Sequence, residues 1–69
     1  MDSALHQRFA DRVRKLVLQR GWSQNQFADA AEVSRGHLSH VLGGKKSPTL
    51  RTMEKIAKAL DVEVRDLLK

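Results

Sequence analysis

The sequence predicts an all-α domain of five short helices, and three observations carry that expectation. Apolar residues recur at spacings of three and four along most of the 69-residue chain, which is the period of helices with one buried face. Ser23, Ser34 and Thr49 each stand just before such a run, where a side-chain oxygen satisfies the first free amides of a helix. No alternating apolar and polar run is long enough to argue for a strand. Gly21, Gly43, Gly44 and Pro48 fall between the runs, and only Gly36 lies inside one.

The first helix is expected over residues 5–20, with Leu5, Phe9, Val13, Leu16 and Val17 on one face. Asp11 and Lys15 stand at i,i+4 on its polar side, and Gly21 supplies the stop. The second begins after Ser23. Ser23 with Gln26 three residues on makes a capping box, and Trp22 with Phe27 makes the accompanying staple. Ala28 and Ala31 are small enough to let another helix approach closely.

The third helix begins after Ser34, with Val33 and Leu38 as its staple. Leu38, Val41 and Leu42 form its inward edge; Arg35, Gly36, Ser39 and His40 face away, with His37 at the boundary. A polar loop carrying Lys45, Lys46 and Ser47 leads to Thr49, the cap of the fourth helix. Leu50, Met53, Ile56, Ala57 and Leu60 give that helix its stripe, and Glu54 with Lys58 adds an i,i+4 pair. A fifth segment over residues 63–68 buries Val64, Leu67 and Leu68. None of these helices is long enough to be stable alone, so the core must be shared. Its expected members are Phe9, Val13, Leu16, Trp22, Phe27, Val33, Leu38, Val41, Met53, Ile56, Leu60 and Leu67.

Size and composition narrow the functional classes. The length predicts one domain over residues 1–69. Without cysteine there is neither a disulfide nor a thiolate metal site, which fits a cytoplasmic setting. No apolar run reaches the roughly 20 residues that span a bilayer, and the N-terminus lacks the apolar core of a signal peptide. Thirteen Lys and Arg against eight Asp and Glu leave a formal charge of +5, which favours an anionic partner, nucleic acid before acidic membrane.

The informative constellation lies over residues 23–42. Two short capped helices joined by Ala31, Glu32 and Val33 make a helix-turn-helix, a unit whose second helix enters the major groove of double-stranded DNA. The residues offered to base edges are Arg35, Gly36, Ser39 and His40. Arg35 carries a donor fork suited to guanine O6 and N7, and Ser39 donates or accepts. Glycine inside a helix costs about 1 kcal/mol relative to alanine. Close approach to the groove floor gives Gly36 a reason; drift on an exposed face is the duller one. Gln24 and Asn25 stand where the second helix begins, with free amides suited to phosphate. His37, Lys45 and Lys46 complete the backbone-contact set, which positions the protein without reading sequence.

These residues resemble the lambda-repressor-like helix-turn-helix domains, and among them the Xre/Cro-type regulators. The resemblance runs over residues 9–68 and is carried by Gly21-Trp22-Ser23-Gln24, Phe27-Ala28, Val33-Ser34, Leu38-Ser39, Val41, Gly44, Pro48-Thr49-Leu50, Ile56-Ala57, Ala59-Leu60 and Leu67-Leu68. It implies a five-helix fold, a homodimer on a short palindromic operator, and control of transcription, here expected as repression. It also implies that Gln24 contacts the DNA backbone and orients the recognition helix. Two departures stand out: Glu32 occupies the turn position where the family usually has glycine, and Leu42 stands where it often has glutamate. A left-handed Glu32 costs roughly 1–2 kcal/mol.

Competing readings are weaker. Arg35, Lys45 and Lys46 as an ordinary solvated surface is the bland alternative. His37 and His40 stand three apart with no further ligand nearby, so no metal site is expected. Ser39 beside a histidine lacks the orienting group and oxyanion site that catalysis needs, so no enzyme activity, cofactor or small-molecule ligand is expected. A protein-interaction adaptor or antitoxin component with weak or indirect DNA binding remains the alternative from a different class.

Overall fold

Helix ends organise this molecule. The computed structural model describes residues 3–69; residues 1 and 2 of the expected domain lie outside the described residues. Five helices run α1 (Ser3–Gln19), α2 (Gln24–Ala31), α3 (Arg35–Leu42), α4 (Leu50–Leu60) and α5 (Val64–Leu67), with no strand among the described residues. The expected caps are in place. The Gln26 amide donates to Ser23 Oγ at 3.1 Å while Gln26 Oε1 accepts from the Ser23 amide at 2.9 Å. Ser34 Oγ accepts from the His37 amide and Thr49 Oγ1 from the Thr52 amide, both at 3.1 Å. Trp22 stacks on Phe27 with ring centroids 5.6 Å apart, so the staple fixes the angle at which the chain enters α2.

The C-termini of α1 to α4 close by one device. In each, a residue one (α2, α4) or two (α1, α3) positions past the helix turns left-handed, and its amide and the next return to carbonyls near the helix end. Gly21 and Gly44 take this conformation at φ 73° and 81°, Glu32 and Asp61 at 57° and 58°. At α2 the Glu32 amide donates to Asp29 O at 3.2 Å and the Val33 amide to Ala28 O at 3.0 Å. At α4 the Asp61 and Val62 amides return to Lys58 O and Ala57 O. Thus Glu32 keeps the turn that glycine would make, at a backbone cost.

The core gathers Phe9, Val13 and Val17 from α1, Phe27 from α2, Leu38 and Val41 from α3, Ile56 and Leu60 from α4 and Leu67 from α5. Ala28 and Ala31 are buried where α2 meets α3 and α4. The radius of gyration, 10.6 Å, agrees with the about 11 Å expected of one packed body of this length.

Several expected positions shift. Leu16, Trp22, Val33 and Met53 pack against the core but are only partly buried, as are Val64 and Leu68. Leu5 is exposed, and its place on the inward face goes to His6, whose Nε2 lies 2.8 Å from Val41 O. A helical row leading back from Phe9 reaches both positions, and the carbonyls ending α3 call for a donor there. Leu50 is 63% exposed, because it opens α4 at the outer end of the stripe. Asp11 pairs with Arg14 at 3.8 Å rather than with Lys15. The fifth helix is shorter than expected, and Glu63 is its N-cap.

Arg14 of α1 and Arg20, just past its end, finish helices far along the chain. Arg14 Nη2 donates to Leu42 O, the last carbonyl of α3, and Arg20 Nη2 donates to Leu60 O, the last of α4, at 2.7 Å. A cation beside free carbonyls also complements the negative end of each helix dipole. The long first helix therefore acts as a frame, and α3 is held by it from behind.

Candidate nucleic-acid interface

The α2–turn–α3 unit is rigid for local reasons: a capping box opens it, a left-handed turn joins its halves, and a serine cap starts α3. Leu38, Val41 and Leu42 pin α3 from beneath. Arg35, Gly36, Ser39 and His40 are consequently turned outward and exposed. Gln24 and Asn25 are exposed at the start of α2. Lys45 and Lys46 are exposed in the following loop, and their amides both donate to His40 O, at 2.8 and 3.2 Å. The loop is thereby tied to the end of α3, and its two cations travel with that helix.

His37 occupies a different position. It is half-buried, with Nε2 3.5 Å from Thr52 Oγ1, so its ring leans toward α4. Gly36 has an ordinary negative φ, and nothing lies within 4 Å of the point where a Cβ would sit. The fold therefore does not require glycine there; any demand for it comes from outside the chain.

Sequence reasoning missed Asp29. Its carboxylate holds Arg35 side-on, accepting from Nη2 at 2.9 Å and Nε at 3.4 Å. The hydrogen bond from Arg35 holds the Asp29 carboxyl below its ordinary value, and the pairing raises the guanidinium's. The available signal was an acid in the last turn of one helix and a base at the first position of the next, each opposed by its own helix dipole.

The arrangement offers exposed donors and cations at the start of α2, along α3 and in the loop that follows it. Among the described residues there is no group of three or more His, Cys, Asp or Glu able to hold a metal ion. No helix of the described residues is long and apolar enough to cross a membrane.

Comparison with known proteins follows the same line. A family profile described as Helix-turn-helix matches residues 13–67. Control protein C.BamHI of Bacillus amyloliquefaciens is 34% identical over 61 residues, covering 87% of this chain and 75% of that protein. The HTH-type transcriptional regulator DdrOP3 of Deinococcus deserti is 33% identical over 61 residues, covering 88% of this chain. The chain spans about half (47%) of that relative's length. Among solved structures, the restriction-modification controller protein C.AhdI from Aeromonas hydrophila superposes with a TM-score of 0.84 at 33% identity, covering 93% of this chain and 97% of that one.

Proposed function

The chain belongs to the helix-turn-helix family, and from that premise we propose that it binds double-stranded DNA in a sequence-specific way and regulates transcription, without catalysis. One observation supports this above others: α3 buries Leu38, Val41 and Leu42 while turning Arg35, Gly36, Ser39 and His40 to solvent. A helix so held can enter a major groove with its first turns toward the base edges.

In this reading each residue has one task. Arg35 reads a guanine through parallel N–H donors, and Ser39 and His40 bond base edges beside it. Gly36 lets the α3 backbone approach the groove floor. The α2 N-terminus with Gln24 and Asn25 takes one phosphate, and Lys45 and Lys46 take others past the end of α3. His37 supports from the boundary, where its ring bridges toward α4 and a neighbouring phosphate.

The reading extends to a homodimeric repressor on a two-fold operator. A single recognition helix reads few bases and a single module buries little surface. Two copies would place their α3 helices in successive grooves, about 34–36 Å apart. The partly buried Val64 and Leu68 and the end of α4 form the surface assigned to that contact.

The test is selection of bound duplexes from a random pool at about 0.15 M salt. The expected result is an enriched inverted repeat with half-sites one helical turn apart. An unenriched pool from folded protein refutes the sequence-reading claim; an enriched single half-site refutes the dimer alone.

A further inference from the structure

The Asp29–Arg35 pair has no adequate explanation in stability. Both side chains are more than half exposed, at 63% and 59%, and exposed ion pairs of this kind contribute little. Their positions also work against the helices that carry them. Asp29 lies in the last turn of α2 and Arg35 opens α3, so each charge faces the like-signed end of a helix dipole.

The contact geometry is selective. A guanidinium presents five N–H donors in one plane. Asp29 occupies the side formed by Nε and Nη2. The end edge, formed by Nη1 and the second hydrogen of Nη2, stays open. Two parallel donors on that edge match the O6 and N7 acceptors of guanine. The main chain that carries the carboxylate is anchored, because the Asp29 carbonyl accepts from the amide of the left-handed Glu32 in the closed end of α2. The pair thus biases a long, rotamer-rich side chain toward this orientation before any partner arrives, which removes part of the ordering cost from binding.

We propose that Asp29 is a specificity-positioning residue that holds Arg35 side-on so that its end edge faces one guanine of the DNA site. This inference rests on the reading of α3 as the groove-reading helix. Its second consequence is electrostatic. A carboxylate beside the groove repels phosphate wherever Arg35 finds no guanine, so Asp29 weakens binding to the wrong sequence while preparing the right contact.

The test compares wild type, Asp29→Asn, Asp29→Ala, Arg35→Ala and the Asp29→Asn/Arg35→Ala double variant. Each is titrated with the selected duplex, a random duplex and a set in which every base pair is changed singly. Both Asp29 variants are expected to bind the random duplex several-fold more tightly. They should also lose about tenfold of discrimination at the base pair that Arg35→Ala relaxes. In the Arg35→Ala background, Asp29→Asn should raise random binding and leave discrimination unchanged. Full discrimination retained in both Asp29 variants overturns the proposal, and so does relaxation at a base pair other than that of Arg35. If Arg35→Ala relaxes no position, the groove-reading role fails, and this inference falls with it.

Discussion

Replacing Glu32 by glycine should stabilise the protein, and the amount follows from the turn. Glu32 sits at φ 57° and ψ 41°, a left-handed conformation that costs an L-residue roughly 1–2 kcal/mol. Glycine removes that cost but loses about 0.5–1 kcal/mol through its greater freedom in the unfolded chain. The net expectation is a gain of about 0–1.5 kcal/mol, centred near 0.75 kcal/mol, which corresponds to roughly 3–6 °C in Tm for a domain of this size. The bonds of the turn use only the backbone of residue 32, including its carbonyl, which accepts from Lys55 Nζ at 3.3 Å; all survive the change. Glu32→Ala is the control. It keeps the Cβ and its strain while removing the carboxylate from the C-terminal end of α2, where the dipole disfavours it by a few tenths of a kcal/mol. Thermal and urea unfolding followed by circular dichroism would rank the three proteins. The expected order is Glu32→Gly above Glu32→Ala, with wild type lowest. Glu32→Gly no more stable than Glu32→Ala would refute the strain argument.

Three further outcomes are expected. Gly36→Ala should raise stability by up to about 1 kcal/mol, since a Cβ there meets nothing, yet weaken binding to the selected duplex; a variant that is more stable and binds equally well would remove the close-approach role. His6→Phe should cost about 1 kcal/mol in urea unfolding, because Val41 O loses the imidazole donor but keeps the Gly44 amide at 3.2 Å; a neutral result would mean that burial alone places the ring. The third concerns pH. The hydrogen bond from Arg35 depresses the Asp29 carboxyl in the folded state, so its contribution to stability is fully present above the ordinary aspartate value of about 3.9. That contribution is lost as pH falls through the lower folded value. A carboxyl NMR titration should show Asp29 titrating below that value in wild type and returning toward it in Arg35→Ala; an unchanged midpoint would mean that the pair does not persist in solution.

What was legible in the sequence is what local chemistry determines. The caps at Ser23, Ser34 and Thr49, the Trp22–Phe27 staple and the outward set Arg35, Gly36, Ser39 and His40 each depend on residues within a turn or two of one another. The left-handed Glu32 was foreseeable from the resemblance to lambda-repressor-like domains, which the match over residues 13–67 supports. The left-handed Asp61 carried no such signal, because aspartate tolerates that conformation without announcing it. Leu5 and Leu50 misled because an apolar stripe does not reveal where the neighbouring helix stops. His6, Arg14 and Arg20 were passed over for a related reason. Their partners are carbonyls 35, 28 and 40 residues away, and only the assembled fold brings them within reach. Asp29 is six residues from Arg35, but the turn between them decides whether they meet.

The most direct test of the account is an amide NMR titration of the protein with its selected duplex, compared with a random duplex at the same salt. The account predicts shift changes at residues 24–25, 34, 37 and 45–46 with both duplexes, and changes at Arg35, Gly36, Ser39 and His40 with the selected one alone. Specific shifts centred on α1 or α5, with the amides of α3 unmoved, would contradict it.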